Sequence, residues 1–232
     1  MIHRGGTRRL VASSVVVLLC AALMALYIAD RAGADVTPCQ AARAASAARS
    51  DTITGSGART VVIGDSWSVG LGLDEPAGSW PAQLPGEVHV EGFSGSGFSE
   101  TASRCGDVSF AARTPRATLG GADLVVVEGG LNDFDQPPAS TTRGFERLLD
   151  ALADHRVVVV GPADAPSRSA GARRVDALLE RLAREHHVPY VSTLDLDLDY
   201  LDDDLHLTGE GHEDFGRVVA ERVGEAAAGL TR

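Results

Sequence analysis

The stretch Val61-Val62-Ile63-Gly64-Asp65-Ser66-Trp67-Ser68-Val69-Gly70 decides how the rest of the chain is read. Its first half is a short run of β-branched apolar residues, which reads as a buried strand. Gly64 ends the run and Ser66 follows one residue past the turn. Open α/β sheets bind ligands outside the carboxyl ends of their strands. A hydroxyl placed there is a candidate nucleophile, provided that a base can reach it. Taken alone, a serine after a glycine turn is more often an ordinary turn residue. The remaining chain must therefore supply a histidine, a carboxylate and donors for an oxyanion.

Outward from this stretch, apolar runs alternate with helical segments. Strands are expected at about 60–64, 87–91, Asp123 to Glu128, Arg156 to Val160, and Val188 to Ser192. A helical segment ending near Trp80 to Leu84 follows the first strand, and a polar helical stretch reaching about Gly120 follows the second. Helices are expected at about 141–154, 168–186 and 209–228. This alternation implies βαβ units and a parallel sheet covered on both faces. The fold expected is a three-layer α/β/α sandwich of about five parallel strands. The loop from Asp164 to Ser169 reads as a variable excursion.

At 232 residues and 44% hydrophobic content, the chain holds one ordinary domain and an appendage. Residues 1–34 carry four of the 21 basic residues and one of the 32 acidic ones, leaving 17 against 31 for the remainder. A field of that sign repels nucleic acid and anionic membrane surfaces.

Arg4, Arg8 and Arg9 precede an uncharged run from Leu10 to Ile28. This is an export signal. Its length allows a membrane span with a cytoplasmic N-terminus, whereas Ala32-Gly33-Ala34 is an A-x-A cleavage pattern. The domain is expected outside the cytoplasm, either anchored by this segment or secreted after cleavage near Ala34. Residues 1–34 are thus signal or anchor, and 35–58 an Ala/Ser/Gly-rich spacer, partly helical around 40–49. The folded domain covers 59–232. Cys20 lies in the apolar run, and Cys39 and Cys105 can pair in an oxidising compartment.

The loops after the first three strands emerge at one edge of the sheet. The first carries Ser66. The second is the glycine-rich turn Gly92-Phe93-Ser94-Gly95-Ser96-Gly97, whose backbone N–H groups can approach a ligand closely. The third carries Asn132, an amide donor. Donors aimed at one point make an oxyanion hole. Asp203-Asp204-Leu205-His206 supplies the base, with Asp203 placed to hold the other imidazole nitrogen of His206.

This constellation resembles the SGNH branch of the GDSL esterase/lipase family over roughly residues 59–228. Gly64-Asp65-Ser66, Gly92-Phe93-Ser94-Gly95, Gly130-Leu131-Asn132-Asp133 and Asp203-Asp204-Leu205-His206 match its four blocks in order. The resemblance implies a flavodoxin-like SGNH hydrolase fold. It implies Ser66 as nucleophile, His206 as base and Asp203 as its orienter. The oxyanion donors implied are the Ser66 and Gly95 N–H groups and the Asn132 side chain, with Gly97 a rival to Gly95. Acyl transfer through an acyl-enzyme then needs no metal or organic cofactor. The substrate class is a short acyl ester or an acylated carbohydrate. An acyltransferase and a non-catalytic carbohydrate-binding descendant are the alternatives.

Other residues receive plainer readings. His212 on the last helix is expected to pack, and the aspartates of 195–204 to form a solvated loop. Trp67 is expected to wall the pocket and so favour short acyl chains. Asp204 stands where a small residue is more usual in the family.

Overall fold

The computed structural model describes residues 20–24 and 37–230. Most of the apolar run of 10–28 and the whole Ala32-Gly33-Ala34 pattern lie outside the described residues. No helix among the described residues is long and apolar enough to cross a membrane. The chain divides into two units, Met1–Ala41 and Ala42–Arg232. Within the first, residues 20–24 and 37–41 are helical. Cys39 and Cys105 are disulfide-bonded, and Cys20 is a free thiol.

The second unit is built on a six-stranded sheet: β1 (Thr54–Gly55), β2 (Arg59–Gly64), β3 (Glu87–Gly92), β4 (Leu124–Glu128), β5 (Val157–Ala163) and β6 (Tyr190–Thr193). The order across the sheet is β1-β3-β2-β4-β5-β6. Strands β2 to β6 pair in parallel. The five parallel strands expected are present, joined by one antiparallel edge strand, β1 on β3. Two residues with a glycine among them carry no period that a sequence pattern could show.

The helices are α1 (residues 37–50), α2 (Ser66–Val69), α3 (Phe110–Ala117), α4 (Pro138–Ala151), α5 (Ser169–Glu185) and α6 (Gly209–Ala228). Side chains alternate across each strand, and this alternation divides the core into two layers. Val62, Val126, Val158 and Val160 face Trp67, Trp80, Phe215 and Val219. Val61, Ile63, Val125, Val127 and Val159 face Phe98, Phe110, Phe145, Leu148 and Leu179. One layer therefore rests on α6 and the other on α3, α4 and α5. Strands buried on both sides read as unbroken valine runs, which is why they were legible.

Two segments differ from expectation. The helix expected after β2 is a single α-turn followed by 3-10 turns at Pro76–Gly78 and Trp80–Gln83. Gly70, at φ +82°, closes α2 in the left-handed conformation, and Pro76 and Pro81 prevent a longer helix. The stretch expected as a spacer, partly helical around 40–49, is helical over 37–50, and its later residues pack. The Ser46 hydroxyl donates to the Gly92 carbonyl (2.6 Å). Arg49, 1% exposed, donates to Ser79 Oγ (3.3 Å) and the Thr52 carbonyl (2.9 Å).

The chain leaves β2 for β3 on one side and returns to β4 on the other. The strand order thus reverses between β2 and β4, and such a switch point opens a crevice at the carboxyl edge. The loops bearing Ser66 and Asn132 leave the sheet on either side of it.

Candidate active site

Ser66 is the first residue of α2. Asp65 caps this turn, its Oδ1 accepting the Trp67 N–H at 2.9 Å. The Ser66 side chain is not free to wander, because the residue is buried and its carbonyl accepts from Gly70 and Leu71 at 3.1 and 3.0 Å.

His206 reaches Ser66 from across the chain. Its Nε2 lies 3.2 Å from Ser66 Oγ, and its Nδ1 lies 2.5 Å from Asp203 Oδ2. This network assigns the Nδ1–H tautomer, leaving the Nε2 lone pair toward the hydroxyl. Asp203 also folds back on its own loop, its Oδ1 accepting from Leu205 N (3.0 Å) and His206 N (2.9 Å). Partial burial works against its charge. The His206 N–H, the imidazole and the Leu205 N–H outweigh this and hold the carboxyl at about 2. The three-residue spacing is therefore enough to make the carboxylate both loop cap and imidazole partner.

Gly95 has φ +80°, where glycine is favoured, and a Cβ added there would meet only open space. Gly97 differs, since an added Cβ would lie 2.3 Å from Asp133 Oδ2. Among the described residues, the backbone N–H groups of Ser66 and Gly95 make no hydrogen bond. The Asn132 amide is engaged at rest. Its Nδ2 donates to Asp65 Oδ2 (3.0 Å) and to the Ser96 carbonyl (2.8 Å). An oxyanion bound beside this amide would have to take one of these hydrogens over or share it.

Buried acids stand behind the site. Asp133 accepts from Phe98 N (2.9 Å) and Ser99 N (2.8 Å), fixing the end of the glycine-rich turn. Burial pushes its carboxyl up to about 7, against the pull of those N–H groups. Burial likewise raises Asp65 to about 6, tempered by the Trp67 N–H and by the charges of His206, Arg168 and Arg113. Glu128, also pushed up by burial, accepts from Ser68 Oγ at 2.8 Å. Trp80 Nε1 donates to the same Ser68 oxygen (3.1 Å). Gly64 leaves the room for this, as a Cβ there would lie 2.0 Å from Ser68 Oγ.

Other residues settle as follows. His212 is buried, its Nδ1 accepting the Trp80 N–H at 3.3 Å. Burial, with the charge of His206 beside it, lowers its pKa to about 4. It packs as a neutral ring. Asp195 pairs with Arg222 and Asp199 takes the Thr208 hydroxyl. Among the described residues no cluster of three His, Cys, Asp or Glu could hold a metal ion. Asp204 has an exposed side chain and φ +54°.

Trp67 does not wall a pocket. It is 1% exposed and points into the core, edge-on to Phe215. Its Nε1 donates to the Leu205 carbonyl (3.1 Å), tying the turn of Ser66 to the loop of His206. Two arginines escaped the sequence reading. Arg113, buried on α3, donates to the Gly64 carbonyl and Ser96 Oγ, both at 2.9 Å. Arg168 donates to the Leu131 carbonyl (2.9 Å) and Asn132 Oδ1 (2.8 Å). Neither belongs to a motif with a fixed offset from Ser66.

A serine with an imidazole at hydrogen-bond range, a carboxylate on that imidazole and two open N–H groups is the apparatus of acyl transfer. Residues 62–213 match the GDSL-like Lipase/Acylhydrolase family, to which the chain belongs. The chain is a carboxylic ester hydrolase, on the ground of its family. No curated protein sequence matches the chain. Solved structures share its fold. A carbohydrate acetylesterase from Sinorhizobium meliloti is 18% identical over 73% of this chain and 99% of its own, with a TM-score of 0.62. An aryl esterase from M. smegmatis is 19% identical over 73% of this chain and 100% of its own, also with a TM-score of 0.62. A family two carbohydrate esterase from Clostridium thermocellum is 14% identical over 76% of this chain and 66% of its own, with a TM-score of 0.59.

Proposed function

We propose that the chain is an extracytoplasmic serine esterase that removes short acyl groups through an acyl-enzyme on Ser66. The observation that carries this reading is the approach of His206 Nε2 to within 3.2 Å of Ser66 Oγ while Asp203 holds Nδ1. Ser66 attacks the ester carbonyl as His206 takes its proton. The imidazolium formed is stabilised by Asp203 and then protonates the leaving alcohol. Water, deprotonated by the same imidazole, releases the acid. The oxyanion is held by the N–H groups of Ser66 and Gly95 and by the Asn132 Nδ2–H that at rest donates to the Ser96 carbonyl.

Short acyl groups fit the scarcity of apolar surface. In the loops bearing the site, Leu71 is the one large hydrophobic side chain that stands exposed. The acetylesterases that share the fold make acetylated carbohydrate the first substrate class to screen. Export is supported by the arginine-flanked apolar run and by disulfide-bonded Cys39 and Cys105.

The test is hydrolysis of p-nitrophenyl acetate, butyrate and octanoate, with and without added acceptor alcohols, beside Ser66→Ala. Turnover that prefers acetate and vanishes in the variant is expected. A folded chain inactive on all of these would favour a binding role instead.

A further inference from the structure

The loop between β5 and α5, Asp164 to Ser169, carries no motif and read as a variable excursion. In the structure it touches both halves of the site. Ser167 donates through its N–H (3.0 Å) and its hydroxyl (2.8 Å) to the carbonyl of Asp204, two residues before His206. Arg168 donates from Nη1 to the Leu131 carbonyl and to Asn132 Oδ1. Its guanidinium also lies over the Phe134 ring, 4.7 Å from the centroid. The next turn seats the loop against the same residue, since a Cβ on Gly171 would lie 2.7 Å from Phe134 Cβ and 3.0 Å from its carbonyl oxygen.

We propose that Arg168 is a positioning residue for the oxyanion site, fixing and polarising the Asn132 amide. This rests on the esterase reading above. A primary amide has two ends of nearly equal shape, and only the NH₂ end can stabilise an oxyanion. Asp65 and the Ser96 carbonyl hold the nitrogen end, and Arg168 holds the oxygen end. A cation on the amide oxygen draws electron density from the nitrogen, so the N–H groups become stronger donors. This matters because Asn132 must give up a bond to Ser96 in order to serve the oxyanion. The planar guanidinium matters as well as the charge, since Nη1 serves both acceptors while the group lies over the Phe134 ring.

The experiment uses the purified full chain with p-nitrophenyl acetate and compares wild type, Arg168→Met, Arg168→Lys, Asn132→Ala and the Arg168→Met/Asn132→Ala double variant. Arg168→Met is expected to lower kcat about 10-fold with KM within about twofold, since the loss falls on the transition state. Arg168→Lys should recover only part of the rate. In the Asn132→Ala background, Arg168→Met should have almost no further effect, because the two act as one unit. An undiminished effect in that background overturns the proposal, as does an unchanged kcat. A second readout does not depend on turnover. The side-chain NH₂ resonances of Asn132, assigned by their loss in Asn132→Ala, should shift in Arg168→Met. Resonances that do not move overturn Arg168's hold on Asn132. An inactive wild type in which they do move would overturn the esterase reading alone.

Discussion

Ser66 and His206, the two partners of the proposed proton transfer, stand on opposite kinds of ground. Ser66 rises from a buried turn between β2 and a one-turn helix, with Asp65, Glu128 and Asp133 desolvated behind it. His206 stands on a loop whose Asp202, Asp203 and Asp204 are exposed. The buried side is placed by packing, so neighbouring carboxyls rise in pKa and hydrogen bonds have no competition from water. On the exposed side Leu205 and Leu207 pack against the core, and hydrogen bonds complete the placement of the loop. Asp203 caps its own loop, Trp67 and Ser167 donate to Leu205 and Asp204, and the Leu201 N–H donates to the His206 carbonyl at 2.7 Å. Precision on the exposed side therefore depends on a few named bonds that can be removed singly.

The largest effect should come from Asp203→Asn. It keeps the shape but invites the wrong imidazole tautomer, and kcat is expected to fall by about 10³–10⁴ with the circular dichroism spectrum unchanged. A loss below about 10-fold would mean that solvent orients the ring on this exposed side. On the buried side, Asn132→Ala should lower kcat by about 10²–10³, the usual loss for one oxyanion donor. Unchanged turnover would remove Asn132 from the site.

Trp67→Phe tests the tie between the two sides. The ring packing survives and the bond to Leu205 is lost. Stability should drop by about 1 kcal/mol, read in urea, and kcat should fall several-fold because the loop of His206 is less well placed. A loss of stability without a change in kcat would make Trp67 a core residue only.

The smallest effect separates the two sides by pH. Burial holds Asp65 at about 6 and Asp133 at about 7 in the folded chain, above the ordinary value of about 4. Such acids bind their protons more tightly folded than unfolded, so stability falls as pH rises from about 4 to about 7. Asp203 has the opposite sign. Its contribution is complete above its unfolded value of about 4 and is lost as pH falls toward about 2. Tm should therefore decline from about pH 5 to about pH 8 by at least about 2–4 °C, the equivalent of about 1 kcal/mol at this size. A flat profile would mean that the buried carboxyls titrate normally.

Much of this was legible in the sequence because it depends on local pattern. The valine runs of β2, β4 and β5 announced strands buried on both faces. The blocks around Ser66, Gly95, Asn132 and His206 each follow an element whose end the sequence marks. What stayed hidden depends on long-range contact. Trp67 directly follows Ser66, and from that position alone it is expected to wall the pocket, but the single turn of α2 rotates it into the core against Phe215. Asp133 carries no sign in the sequence of its hold on the glycine-rich turn, where its two oxygens accept the Phe98 and Ser99 N–H groups. Arg168 and Arg113 lie 102 and 47 residues beyond Ser66 in the chain, in segments without periodicity or motif. Only the folded sheet brings them to the site.

Whether Ser66 carries the acyl group is decided by intact-protein mass spectrometry after rapid acid quench of the p-nitrophenyl acetate reaction. One acetyl group per chain is expected during turnover, located by proteolysis on the peptide containing Ser66 and absent in Ser66→Ala. Acetyl retained in that variant, or found on another residue in the wild type, would contradict Ser66 as its carrier.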